Sequence, residues 1–308
     1  KKEQATSSQA SEDGGAERYR DWDLLRYWFR GIEKFAPWAR HIFFITDGQK
    51  PSWLDTDHPK LRWLSHRDFM PEECLPTFNS NAIEMNFGRI SELSEQFVYF
   101  NDDMFLISKT KIEDFFMNGL PCGLPRLNLS YPDNLFSQTL YNNAVVLNRH
   151  YDFRETIRKY GKLWFSKQSL RECCKILFFL KMNMILGMSD HHLPKAFLKS
   201  SFQALWDEEE ALMHETSLTK MRYKNNITLH LVRDRQFFTG QFSPQKPIGK
   251  AFLSSELYHS DALCRYIRRQ KGKTICINDT AEEKDFSAHR AMIEEAFMAI
   301  LPEKSSFE

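Results

Sequence analysis

The sequence has almost no net charge: 42 Lys and Arg stand against 41 Asp and Glu in 308 residues. No domain-wide basic field exists to hold a nucleic-acid backbone, which excludes nucleic acid as an expected partner. A local basic pocket for one phosphate is still allowed, because net charge does not describe a single cleft. Paired cysteine motifs are also missing. The six cysteines (Cys74, Cys122, Cys173, Cys174, Cys264 and Cys276) are scattered with no CxxC spacing, which argues against a structural zinc site. They read as reduced, mostly buried thiols of a cytoplasmic protein. No long apolar run occurs. The strongest, Ile176 to Leu186, is interrupted by Lys181 and Asn183 and falls short of the about 20 apolar residues of a bilayer span, so it reads as a buried helix. Lys1 to Ala16 is polar and lacks the apolar core of a signal peptide.

Hydrophobic residues make up 42% and aromatics 14%, with 26 Phe, enough to build a core and to exclude a disordered chain. Residues 1–17 are rich in Ser, Ala, Glu and Gly and read as a flexible lead-in; residues 18–308 read as a single domain. From Tyr19, the spacing of Leu24, Leu25, Trp28, Phe29, Ile32 and Phe35 predicts a helix stopped by Pro37. Ile42 to Thr46 reads as a buried strand closed by Asp47-Gly48. Leu61 to Leu64 reads as a second strand, Ala82 to Leu93 as a helix capped by Ser80 or Asn81, and Phe97 to Phe100 as a third strand running into Asn101-Asp102-Asp103. This alternation predicts an α/β protein with a mostly parallel sheet, whose ligands sit beyond the carboxyl ends of the strands. Residues 135–270 form a large, mainly helical middle section, with helices expected over Leu163 to Met188, Lys195 to Trp206 and Ser255 to Arg269. A strand at Thr274 to Ile277 leads into Asn278-Asp279, and His289 to Ile300 closes the chain as a helix.

Four groups could carry chemistry. Asn101-Asp102-Asp103 at a strand end offers hard oxygen ligands suited to Mg²⁺ or Mn²⁺, though a solvated turn fits the same residues. Asn278-Asp279 repeats the pattern more weakly. Asn79, Ser80 and Asn81 precede a helix containing Glu84; helix N-termini bind anions, and plain capping explains the same residues. Asp190-His191-His192 could bind metal or move protons, or be an ordinary surface loop. Arg222 has no local distinction.

Together these pieces resemble the Stealth family, which includes bacterial capsule phosphotransferases and the animal enzyme that places N-acetylglucosamine 1-phosphate on lysosomal glycans. The resemblance runs through residues 18–106, in Arg18-Tyr19-Arg20-Asp21, Thr46-Asp47-Gly48-Gln49, Pro51-Ser52-Trp53-Leu54, Leu75-Pro76-Thr77-Phe78, Asn81-Ala82-Ile83-Glu84 and Tyr99-Phe100-Asn101-Asp102-Asp103. It continues from His192-Leu193-Pro194 to Arg222, through Ile275-Cys276-Ile277-Asn278-Asp279, and to the closing Pro302 to Glu308. The family's first region, a strand followed by a Trp-Val-Asp-Gly type segment, has no counterpart in these residues, and such a strand is expected to lie centrally in the sheet. The extra modules of the animal enzyme are absent between 106 and 190, as in the compact bacterial kind.

The resemblance implies a Rossmann-like sheet of the nucleotide-sugar transferase type. It implies transfer of a sugar 1-phosphate from a nucleotide-sugar, with a UDP-sugar as the expected donor, to a hydroxyl of an acceptor sugar or polysaccharide. Family catalytic positions fall on Glu84, Asp103, His192 and Arg222. Asn79, Ser80, Asn81 and Asp102 are expected to touch substrate. Mg²⁺ or Mn²⁺ is expected on Asp103 with Asp279. A cytoplasmic protein without a membrane span is expected, associated peripherally with an assembly at the inner face of the membrane. The rival readings are a metal-dependent glycosyltransferase that releases nucleoside diphosphate and an inactive nucleotide-sugar-binding fragment.

Overall fold

The structure, a computed structural model, describes residues 22–129, 131–253, 257–278 and 286–308. The expected lead-in over residues 1–17 and the expected ligand Asp279 lie outside the described residues. The first helix, α1 (Leu25–Phe35), buries Phe29, Ile32 and Phe35, as the apolar spacing requires, and Tyr27 besides, while Leu25 and Trp28 are half-buried. It ends at Ala36, before Pro37 removes a backbone donor. Gly31 lets this helix approach closely, since a Cβ there would sit 3.0 Å from the Leu106 carbonyl oxygen.

Strands β1 (Ile42–Thr46) and β2 (Leu61–Ser65) pair in parallel, with Ile42 opposite Leu61 and Thr46 opposite Ser65. The short helix α2 (Ser80–Met85) precedes β3 (Gln96–Tyr99) and β4 (Met104–Leu106); a small hairpin, β5 (Phe116–Met117) and β6 (Leu120–Gly123), follows. The middle section carries α3 (Leu135–His150), α4 (Phe153–Phe165), α5 (Leu170–Met182), β7 (Lys195–Leu198), α6 (Lys199–Glu208), α7 (Glu210–Leu218) and α8 (His230–Phe238). The last part comprises β8 (Ser243–Pro244), β9 (Gly249–Leu253), α9 (Leu257–Arg268), β10 (Thr274–Asn278) and α10 (Phe286–Ile300).

The chain is mixed α/β, as expected, but its sheets are small. β1 pairs parallel to β2, β10 parallel to β9 and β6 parallel to β8. β3 pairs antiparallel to β7, β4 to β10 and β5 to β6. Parallel and antiparallel pairings are therefore equally common among the described residues. Among the described residues β1 pairs with β2 alone and β3 with β7 alone, so each has an edge with no described neighbouring strand.

The β3–β7 pair separates two cores. Alternate side chains of a strand point to opposite faces. Phe97 and Phe197 join the core of the helical section, built on Phe153, Trp164, Phe202 and Phe238. Val98, Ala196 and Leu198 join the other, built on Phe29, Phe105, Ile275 and Phe297 between α1, β4, β10 and α10.

Several sequence expectations change. The helix expected over Lys195 to Trp206 begins only at Lys199, because Lys195–Leu198 is drawn into β7 by antiparallel pairing with β3. Of the helix expected over Leu163 to Met188, only the end of α4 and α5 are helical: the helix breaks at Lys167, which has φ +58°, restarts at the Ser169 cap and ends at Asn183, with φ +54°, so residues 183–188 are not helical. Its stretch from Ile176 is not buried throughout: Leu177 and Phe178 are exposed. The helix expected over Ala82 to Leu93 ends at Met85, and its N-cap is Asn79, whose side chain accepts from the Asn81 N–H, rather than Ser80 or Asn81. Of the six free cysteines, Cys74, Cys264 and Cys276 are buried while Cys174 is exposed.

Candidate active site

A cavity of about 1250 Å³ opens where β1, β3, α1 and α2 meet. Phe43 and Ile45 of β1 and Phe97 of β3 line its apolar part. Ser80, Asn81, Glu84, Asp102, His192 and Arg222 line its polar part. Six of the residues singled out from the sequence thus face one space although they come from distant segments. A large concave site with few convergent polar groups suits a small-molecule substrate.

Each polar residue is placed by a local cause. Asn79 is buried and ties two segments together: its amide donates to Thr219 Oγ1 at 2.7 Å and to Asn226 Oδ1 at 2.9 Å, while its oxygen accepts from Asn81 N at 3.1 Å. Asn79 therefore shapes the site without lining it. The tie brings Arg222 onto α2, where Nη2 donates to Ser80 Oγ at 2.9 Å. Glu84, one turn further along α2, accepts from the Tyr99 hydroxyl at 2.7 Å. Burial pushes the Glu84 carboxyl above its usual value, against the opposing pull of the Tyr99 hydroxyl, Arg222 and Lys195. Burial and the Glu84 charge push the Tyr99 phenol well up, which keeps it a hydrogen-bond donor.

Asp103 lies between β3 and β4, where its carbonyl accepts from Ile277 N of β10 at 2.8 Å. Its Oδ2 meets His192 Nε2 at 3.1 Å and accepts from the Cys276 thiol at 3.2 Å. Its Oδ1 is buried without a hydrogen-bond partner. Burial and the adjacent Asp103 charge raise the Asp102 carboxyl. A divalent ion fits this corner: it would satisfy the orphaned oxygen and relieve the repulsion between neighbouring carboxylates.

His192 stands in the left-handed region at φ +48°. Asp190 holds it there by accepting from His192 N at 2.8 Å. Asp190 also pairs with Lys195 at 2.9 Å and with Arg233, which reaches on to Asp234. Burial works to raise the Asp190 carboxyl, but Lys195 and Arg233 outweigh it and hold the group well below the usual carboxylate range. Burial pushes His230, another cavity residue, down to about 3, so it is neutral at pH 7; its Nδ1 is buried without a partner.

Sequence reasoning missed Tyr99, Lys195, His230, Arg233 and Cys276 as site residues, and it singled out Asp190 without foreseeing that it braces His192. Tyr99 and Cys276 stood inside the quoted segments, but nothing in their spacing gives them a role; only the pairing of β4 with β10 sets Cys276 against Asp103. His191 does not line the cavity and contacts Arg126 instead.

Comparison with known proteins identifies relatives of the whole chain. The pattern described as Stealth protein CR2, conserved region 2, matches residues 18–122. The chain is 37% identical over 291 residues to the capsular polysaccharide phosphotransferase WcwK of Streptococcus pneumoniae, covering 94% of this chain and 88% of that protein. It is 34% identical to the exopolysaccharide phosphotransferase cps2G of Lactiplantibacillus plantarum, covering 99% of this chain and 90% of that protein. Identity to the receptor polysaccharide phosphotransferase WefC of Streptococcus oralis is 34%, with 94% and 87% covered. The chain is accordingly an enzyme of the phosphotransferase class. Within that class it belongs to the Stealth protein family. Among the described residues no helix is long and apolar enough to cross a membrane.

Proposed function

We propose that this enzyme moves a sugar 1-phosphate from a nucleotide-sugar, a UDP-sugar in the first instance, onto a hydroxyl of an acceptor sugar during capsular or exopolysaccharide synthesis. The observation that carries this reading is the convergence of Glu84, Asp102, His192 and Arg222 on one cavity large enough for a nucleotide-sugar. The apolar part of the cavity suits the flat face of a base, and the polar part suits a diphosphate.

In the reaction the acceptor oxygen attacks the phosphorus that carries the sugar. The bond from that phosphorus to the bridging oxygen breaks, and nucleoside monophosphate leaves. Catalysis of this kind rests on positioning and charge neutralisation. Arg222 supplies a planar fork of donors for the phosphoryl oxygens. Ser80 and Asn81 add hydrogen bonds to the substrate from the start of α2. Asp103 fixes the His192 ring through Nε2, which leaves Nδ1 to take the acceptor proton. Glu84, braced by Tyr99, orients a sugar hydroxyl. Mg²⁺ or Mn²⁺ would be held by Asp103, with Asp279 as second ligand, and would neutralise diphosphate charge.

The test is a nucleotide-release assay with Mg²⁺, a panel of UDP-sugars and a sugar acceptor. UMP with a phosphodiester product is the expected outcome. UDP would make the enzyme a glycosyltransferase, and binding without turnover would point to a nucleotide-sugar binder. The acceptor polysaccharide belongs to the same proposal and is supported by the relatives' names; peripheral association with a membrane assembly is proposed on the family resemblance alone.

A further inference from the structure

The group nearest the reacting residues contains an atom for which the transfer has no use, the sulfur of Cys276. We propose that Asp103, His192 and Cys276 form a binding site for a thiophilic divalent cation, Zn²⁺ above all, and that its occupation takes His192 out of service as a base. The ligating atoms of the three side chains all lie within 4.8 Å of one another. Asp103 Oδ2 is 3.1 Å from His192 Nε2 and 3.2 Å from Cys276 Sγ. Zinc bonds of about 2.0–2.3 Å in a tetrahedral arrangement separate neighbouring ligand atoms by roughly 3.3–3.6 Å. The two distances at Asp103 need to open by only a few tenths of an ångström to admit the ion, and His192 and Cys276 lie within 4.8 Å of each other across it.

The frame around the site is firm. Cys276 sits in β10, paired on one side with β4 and on the other with β9, and is fully buried. Asp103 is tied to the same strand through Ile277. His192 is held by the Asp190 cap. Three protein ligands leave a fourth position, and the cavity that His192 lines is where a water or a phosphoryl oxygen could occupy it.

Ligand chemistry sets the preference. Mg²⁺ wants an all-oxygen octahedron, whereas sulfur and imidazole select zinc-like ions. When zinc enters, the thiol proton leaves to solvent and the thiolate, carboxylate and neutral imidazole become ligands. Zinc and the hard ion proposed above share Asp103 and so exclude each other. The site can be tested without turnover, so its failure and the failure of the transferase reading are separate results.

The full chain, stripped with a chelator, is titrated with Co²⁺ as a spectroscopic probe. One equivalent should give a thiolate-to-cobalt charge-transfer band and the intense visible bands of tetrahedral cobalt, both removed by one equivalent of Zn²⁺. Cys276→Ser should abolish the charge-transfer band, and Cys174→Ser should keep it. Zinc affinity, measured by competition with a chromophoric chelator, should fall at least ~10–100-fold in Cys276→Ser, the loss that even an outer partner causes. His192→Ala, on a loop, should lower it similarly and serves as the readout if Cys276→Ser fails to fold. Zinc should also block carbethoxylation of His192, read by peptide mass. A pale octahedral cobalt spectrum, a charge-transfer band that survives Cys276→Ser, or His192 modified at the same rate with zinc present would each overturn the proposal.

Discussion

At the scale of single residues, the site depends on groups held against their ordinary chemistry. Glu84 is the clearest case. Its folded-state carboxyl is raised by burial, so the native state binds its proton more tightly than the unfolded chain does. Its unfavourable contribution is absent below the unfolded value of about 4.3 and grows as pH rises from there through the folded value. Glu84→Gln should therefore raise the thermal midpoint relative to wild type, more at pH 8 than at pH 4, while lowering turnover. A gain in midpoint that is the same at both pH values would contradict this. Asp190 has the opposite sign. Its depressed carboxyl contributes stability that is present above about 3.9 and lost as pH falls below it. Asp190→Ala leaves Lys195 and Arg233 buried without their shared partner and should cost about 3–5 kcal/mol in denaturant unfolding at pH 7. His192→Ala should slow the chemical step ~10²–10⁴-fold with the fold intact; near-normal turnover would remove His192 from the mechanism.

Elements matter through their edges. β10 is flanked on both sides and buried over Thr274 to Ile277. β1 and β3 each have one partner among the described residues, and both line the cavity with their apolar side chains. Backbone amides that lack a ladder partner exchange readily. Hydrogen exchange should accordingly show strong protection across β10 and alternating weak protection in β1 and β3. Uniform protection in all three would mean that the free edges are covered. Alternation of strands and helices in the sequence announced an α/β fold, but not that β7 would join β3 antiparallel. The Ala196-Phe197-Leu198 run reads equally as helix or strand in isolation, and only pairing with Phe97 and Val98 decided it.

Across the whole molecule, distant segments close on each other. Arg30 of α1 pairs with Glu308 through Nε at 2.6 Å and Nη2 at 2.8 Å, and donates to the Leu301 carbonyl at 3.1 Å. Both side chains are buried, and Phe307 packs on Phe29 with ring centroids 5.2 Å apart. Arg30→Ala strands the Glu308 carboxylate in this setting and should cost about 3–5 kcal/mol, measurable by chemical unfolding. A loss under 1 kcal/mol would show that the pair behaves as a surface ion pair.

The sequence by itself determined the class of fold, the helix of α1, the strands β1, β2, β3 and β10, and the identity of most candidate residues. These follow from period and punctuation: apolar spacing, Pro37, Asp47-Gly48, and acidic residues at strand ends are local signals. The tertiary structure alone decided the rest. Asn79 became a brace between segments because Thr219 and Asn226 lie against it, and Glu84 gained Tyr99 because α2 packs beside β3. Cys276 came to face Asp103 only through the β4–β10 register, so a residue set aside for lack of ligand spacing ended beside Asp103 and His192. Spacing along the chain reports local geometry, whereas a site assembled from four segments is fixed by long-range packing, which no local pattern encodes.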